Sequence, residues 1–272
     1  MSEHRYLGLE LSGAKNQKTS VAALEYYPKE KKIFLLDIYE KLAGDEALLE
    51  LIGELTGEYK ANHVLMGVNV PLSLPPCMEC VKKTCPMPRD CSVPAVKWMR
   101  ATSKRFKDSG FTPYTQRPIE LWVKHHQLRK LPESHRFEID ETLGGNKAPL
   151  TLRMQFLKRH LAGQVRLVEA WPKLTVAMLA QELGVSRRVI SGYRSLEQGA
   201  HAREEILESL AEKKGIFIYE RDMRKLAQGL SAFDAFICAL TALLSESDTC
   251  EEKPHGFPDA GWVAYPSGDL PR

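Results

Sequence analysis

The sequence predicts an α/β fold: a mixed sheet of three antiparallel strands followed by parallel strands, flanked by helices, with a cysteine-rich and helical insertion. Three observations predict it. Short apolar runs with turn-sized gaps open the chain, a strand–helix–strand succession follows, and an almost wholly apolar helical stretch, Ser231 to Leu244, lies near its end. With 272 residues, 43% of them hydrophobic, the chain can bury a full core and reads as one domain over 1–272, in which 75–163 form a basic insertion.

HRYLGLEL reads as the first strand and ends at Ser12-Gly13. TSVAALEYY and KIFLLDIYE follow, separated by the charged turn from Pro28 to Lys32, so an antiparallel meander is the natural arrangement. From Asp45 to Tyr59, Leu48, Leu51, Ile52 and Leu55 oppose Glu50 and Glu54, the pattern of an amphipathic helix. HVLMGVNVPLSLPP is a buried strand that Pro71 stops near Asn69, parallel to a neighbour through a right-handed crossover. The insertion holds a cysteine cluster, the basic segment VPAVKWMRATSKRFKDSG and two helical patterns, RPIELWVKHHQLRKL and LRMQFLKRHLA. The strand signal returns in QVRLVEAWP. Helices are predicted over Lys173–Gly184 and Arg203–Lys214, then a strand-like IFIYE, a linker, the apolar helix and GWVAYP as an edge strand or pocket-side lid. This is the element order of the RNase H-like fold.

No run of about 18 apolar residues exists and MSEHRYLGLE has no apolar signal stretch, so the expectation is a soluble, cytoplasmic protein without membrane contact. The net charge of +3 is unevenly spread: residues 1–70 hold 8 Lys/Arg against 11 Asp/Glu, and residues 77–136 hold 13 against 5. A basic segment set against an acidic one suits a polyanionic partner such as DNA or RNA.

Ligands of open sheets gather at the carboxyl ends of strands. Those ends carry Glu10, Asn69 and Glu169. Asp234, the one carboxylate in the apolar helix, has two readings: a first-turn acid with Ser231 as N-cap, or a ligand delivered to the sheet. Two-metal phosphodiester hydrolysis needs clustered acids holding two hard cations about 4 Å apart. Glu10, Glu169 and Asp234 are the candidate ligands of Mg²⁺ or Mn²⁺, and Asn69 is an auxiliary carbonyl.

GLELSGAKNQKTSVA, GVNVPLSLP, VEAWP, SGYRSLEQGAHAREEILESL, FDAFICALTALL and GWVAYP together resemble the domain of unknown function 429 family, described as predicted nucleases of the RNase H fold. PPCMECVKKTCPMPRDCSVPAVKWM and FTPYTQRPIE resemble its cysteine-bearing branch. The resemblance spans nearly the whole chain. It implies an acidic site at Glu10, Asn69, Glu169 and Asp234 and a metal-dependent nuclease activity. The family more often carries Asp at the positions of Glu10 and Asn69, which supports an alternative: a non-catalytic nucleic-acid-binding protein of the same fold.

Cys77, Cys80, Cys85 and Cys91 form a C-x2-C-x4-C-x5-C array. Four thiolates in so short a loop can close around Zn²⁺, an iron–sulfur cluster and unligated thiols being the alternatives. Beside them Lys97, Arg100, Lys104, Arg105 and Lys107 alternate with Trp98 and Phe106, a mixture suited to phosphate contacts and base stacking or to a solvated helix face. A third functional reading comes from LAQELGVSRRVISGY: Ala180, Gly184 and Ile190 have helix-turn-helix spacing, Ser186, Arg187 and Arg188 would open a recognition helix, and Gly192 would interrupt it. His125 and His126 are adjacent, not four apart, and read as surface or core residues instead of metal ligands. No Gly-rich phosphate loop, nucleophile elbow or dinucleotide fingerprint is present.

Overall fold

The computed structural model describes residues 4–13, 18–57, 59–60, 63–108, 110–195, 198–247 and 249–267. The predicted meander forms from β1 (Arg5–Glu10), β2 (Thr19–Tyr27) and β3 (Lys32–Leu42), antiparallel in sequence order. Helix α1 (Gly44–Thr56) carries the chain across to β4 (Val64–Val68), which pairs parallel with β1. Within the insertion lie α2 (Met87–Asp90), α3 (Pro94–Phe106), α4 (Pro118–Trp122), α5 (Leu128–Lys130), joined to α4 by a π turn at Val123–Gln127, and α6 (Lys147–Leu161). The chain returns as β5 (Arg166–Glu169), parallel to β4. It continues through α7 (Pro172–Leu183), α8 (Arg187–Gly192), α9 (Gly199–Lys214), β6 (Ile216–Phe217), α10 (Glu220–Gln228) and α11 (Leu230–Glu246). The strand order is β5-β4-β1-β2-β3-β6, with β6 parallel to β3 at the edge. The α/β class and the antiparallel-then-parallel sheet are as the sequence predicts.

Alternation along β1 divides the core. Tyr6 faces α7, α9 and α11 in one layer, while Leu7 and Leu9 face α1 and α6 in the other. A third cluster, with Ile119, Val123, Phe257, Val263 and Tyr265, seats the insertion against the C-terminal segment. Helix α11 lies directly on the sheet backbone. A Cβ on Gly8 would fall 1.9 Å from the Ala235 carbonyl oxygen, and one on Gly67 would fall 2.1 Å from that of Cys238. Gly8 and Gly67 are register partners, so the two glycines together form the seat of the helix.

Three expectations change. The supposed linker before the last helix contains α10, whose sequence ERDMRKLAQ shows too few apolar residues to announce a helix. Among the described residues GWVAYP pairs through isolated bridges alone, Ala170 to Ala264 and Cys250 to Pro266, so it is no edge strand; Val263 and Tyr265 are buried as core, and Gly261, Trp262 and Ala264 line a pocket beside β5. Ser231 is not a cap: α11 begins at Leu230 with Gly229 at the N-cap, which places Asp234 beyond the first turn. The stretch with helix-turn-helix spacing does form two helices around a tight turn. Gly184 ends α7 at φ 66°, Ser186 caps α8, and Val189 and Ile190 are buried in the same cluster as Ala180. Gly192 closes α8 after six residues, roughly 9 Å of helix, which is short for reading a groove. Among the described residues, no single helix is long and apolar enough to cross a membrane.

Candidate active site

The two-glycine seat fixes where Asp234 goes. Glu10 lies two residues beyond Gly8, and Asn69 two beyond Gly67, so both side chains leave the sheet on the face covered by α11. Asp234 precedes Ala235, the residue in contact with Gly8, and comes down beside them. The Asn69 side-chain amide donates to Glu10 Oε2 at 2.6 Å, and its backbone N–H extends the ladder to the Leu9 carbonyl at 3.1 Å. Arg194 Nη1 donates to Asp234 Oδ2 at 2.6 Å. Asp234 is 1% exposed, and its Oδ1 has no hydrogen-bond partner among the described residues.

The electrostatics follow from that packing. Burial first, and then the charge of Asp234, push the Glu10 carboxyl up to about 8, against the pull of Asn69, Lys147 and Arg194. Burial also raises Asp234, outweighing Arg194, Lys147 and Lys173. The buried Cys238 thiol, one helical turn from Asp234, is raised well above its ordinary range by burial and by both carboxylates. A cation beside the two acids would reverse these shifts.

Glu10 and Asn69 open on a cleft of about 630 Å³ whose lining also includes Arg117, Lys147, Lys173, Arg194 and Trp171, while Asp234 is buried and is not part of the lining. Sequence reasoning missed its cations. Lys147 opens α6 after Gly144-Gly145-Asn146 and approaches the Asn69 carbonyl at 3.4 Å; Lys173 follows Pro172 at the start of α7; Arg194 lies just past α8. A basic residue just past a strand end or opening a helix after a glycine turn was the available signal.

Glu169 stands elsewhere. Its register partner on β4 is Val68, which in turn partners Leu9, so the pleat turns Glu169 to the face opposite Glu10 and Asn69. The position on the acidic face after β5 is Ala170, fully buried and apolar. Arg117 meets Glu169 with two parallel bonds of 2.7 Å, and the Trp171 indole and the Leu72 N–H each donate at 2.9 Å. Arg117 also donates from Nε to Glu120 at 3.0 Å, and Thr142 donates to the same carboxylate. Burial disfavours charge on Arg117, but Glu169 and Glu120 outweigh it and hold the guanidinium firmly protonated. Glu169 therefore has no oxygen directed at Glu10 or Asp234. The expected three-acid cluster reduces to two acids and an amide, and among the described residues no three His, Cys, Asp or Glu side chains form a metal-ligating group.

No protein-family model, curated protein or solved structure matches this chain.

The basic segment lies outside the cleft. Lys97, Lys104, Arg105 and Lys107 are exposed on or just after α3, while Arg100 donates to the carbonyls of Pro88, Arg89 and Cys91 and so clamps the cysteine loop. Trp98 packs edge-on against Phe257, and Phe106 stacks on His125 at 4.7 Å, so neither ring is free for a base. His125 is buried with its Nε2 2.8 Å from Asp108, and His126 stacks on Trp122. Cys77 and Cys91 are partly buried and buried, Cys80 and Cys85 are exposed, and all are free thiols.

Proposed function

We propose that this chain is an RNase H-like hydrolase of phosphodiester bonds in nucleic acid, dependent on a divalent cation, Mg²⁺ or Mn²⁺. What carries the reading is the unpartnered, buried Oδ1 of Asp234 beside a Glu10 carboxyl raised to about 8. Glu10 and Asp234 offer charged oxygens and Asn69 a neutral one, the donor set of a hard cation that keeps part of its water shell. When bound, the cation would supply Lewis acidity for the attacking water and neutralise charge developing on the phosphoryl group. Lys147 and Lys173 would hold the phosphate oxygens at the cleft, and Arg194 would transfer from Asp234 to the substrate. With Glu169 committed to Arg117, the acids suit one cation better than two.

The test is cleavage of labelled single-stranded and duplex DNA and RNA in Mn²⁺, by the wild-type chain and by Asp234→Asn. The substitution keeps an acceptor for Arg194 but removes a ligand charge. Cleavage is expected to fall by roughly 100-fold or more, the rate equivalent of several kcal/mol of transition-state stabilisation, with folding intact. Full cleavage by Asp234→Asn would sink the assignment.

The engagement of Glu169 favours a second reading, a non-catalytic nucleic-acid-binding protein of the same fold. It predicts binding without hydrolysis in Mn²⁺ and equal affinity for wild type and Asp234→Asn.

A further inference from the structure

The loop between β4 and α3 has no core of its own. Every residue from Met78 to Met87 is exposed, including Val81 at 96%, Met87 at 66% and Met78 at 57%. Ordering a residue costs about 1–2 kcal/mol in backbone entropy, and this stretch has no burial to offset it. Yet both ends are anchored. The Cys77 N–H donates to the Pro113 carbonyl at 2.9 Å, and Cys91 is buried under α3, where Arg100 gathers the carbonyls of Pro88, Arg89 and Cys91. Between these anchors the chain carries two more thiols, Cys80 and Cys85, and all three other thiols lie within electrostatic reach of Cys77. In this structure the four sulfurs do not yet converge as a ligand group, and closing them around one ion requires the exposed Cys80 and Cys85 to move over the anchored Cys77 and Cys91.

We propose that Cys77, Cys80, Cys85 and Cys91 bind one zinc ion as a structural tetrathiolate that orders this loop. The site is separate from the acidic cleft and holds whether or not that cleft hydrolyses anything. Four thiolates and Zn²⁺ leave a net charge of −2, and the loop supplies the compensation: Lys82 and Lys83 lie between Cys80 and Cys85, Arg89 precedes Cys91, and Arg100 reaches the loop carbonyls. The spacing C-x2-C-x4-C-x5-C departs from common iron–sulfur runs, and a loop this open would leave a redox cluster bare to solvent. Binding forms four Zn–S bonds and releases to solvent any thiol protons displaced from the cysteines.

The experiment is elemental analysis of the full chain purified without chelator, for wild type and for Cys80→Ser and Cys85→Ser. Both positions are exposed, so the substitutions leave the core intact, which circular dichroism checks. One zinc per chain is expected in wild type, with loss in each variant. Stripping the zinc with a mercurial that attacks thiols should speed tryptic cleavage after Lys82 and Lys83 by roughly tenfold or more, as local order is lost. Absence of zinc from wild type, or its full retention in both serine variants, would overturn the proposal. Iron with acid-labile sulfide and visible absorption would overturn the assignment to zinc. Unchanged proteolysis after zinc removal would overturn the structural role.

Discussion

Glu169 and Asp234 are both buried carboxylates at the carboxyl end of the sheet, yet Glu169 accepts from Arg117 twice, from Trp171 and from Leu72, whereas among the described residues Asp234 accepts from Arg194 alone. The two acids lie on opposite faces. On the Glu169 face, the insertion supplies a guanidinium with no exposure and a second carboxylate, Glu120, that holds the guanidinium in turn. On the Asp234 face, Arg194 is a third exposed and reaches one oxygen, while the neighbouring Glu10 is a second acid whose own carboxyl is pushed up to about 8. The difference separates an acid that holds the insertion onto the sheet from an acid left with capacity for something else. Carboxylates at strand ends become informative only when their donors are counted.

Removing the organising cation tests the contrast most severely. Arg117→Met leaves Glu169 and Glu120 buried without compensation and should cost about 3–5 kcal/mol in urea denaturation. Asp234→Asn relieves a buried charge and should change stability by about 1 kcal/mol or less, in either direction. If Asp234→Asn were the more damaging of the two, Asp234 would be the structural acid and the contrast would be inverted.

The two centres should also differ in pH response. Glu10 titrates at about 8 in the folded protein against an ordinary 4.5, and Asp234 is raised in the same direction. Between those values the folded state holds a proton that the unfolded chain has released. Stability contributed by this group is therefore fully present below about pH 4.5, falls as the pH rises through about 8, and then levels off. Glu10→Gln should flatten that part of the curve. Because a cation competes with the proton, stabilisation by millimolar Mn²⁺ should be larger at about pH 9 than at about pH 6. Equal stabilisation at both would place the cation elsewhere.

The seat beneath α11 is the next point of attack. Gly67→Ala would drive a Cβ into the Cys238 carbonyl and should cost about 1–3 kcal/mol by overpacking, with a larger proportional loss of cleavage, since lifting α11 moves Asp234 from Glu10. A variant that lost stability but kept full cleavage would uncouple the seat from the site.

Much of this arrangement is legible in the sequence. Glu10, Asn69 and Asp234 are readable as candidate site residues because each breaks an apolar run where a strand ends or a helix crosses. Glu169 breaks its run in the same way, but Val165, Leu167 and Val168 are apolar on both faces, so the pattern hides which side the acid takes. Only the pairing of Val68 with Glu169 decides it. The exposed lysines and arginines of α3 advertise a basic face through clustering. Those of the cleft, Arg117, Lys147, Lys173 and Arg194, come singly from four distant segments, and only the fold assembles them.

That last distinction makes the mildest prediction. Lys147 lies 3.4 Å from the Asn69 carbonyl and bears on both Glu10 and Asp234, while Lys104 sits exposed on α3 and lines no part of the cleft. If nucleic acid enters the cleft, Lys147→Ala should weaken its binding about tenfold or less, equally across sequences, and lower the slope of log affinity against log salt by about one. Lys104→Ala should leave both quantities nearly unchanged. The opposite result would move the nucleic acid to the α3 surface and leave the cleft for a smaller anion.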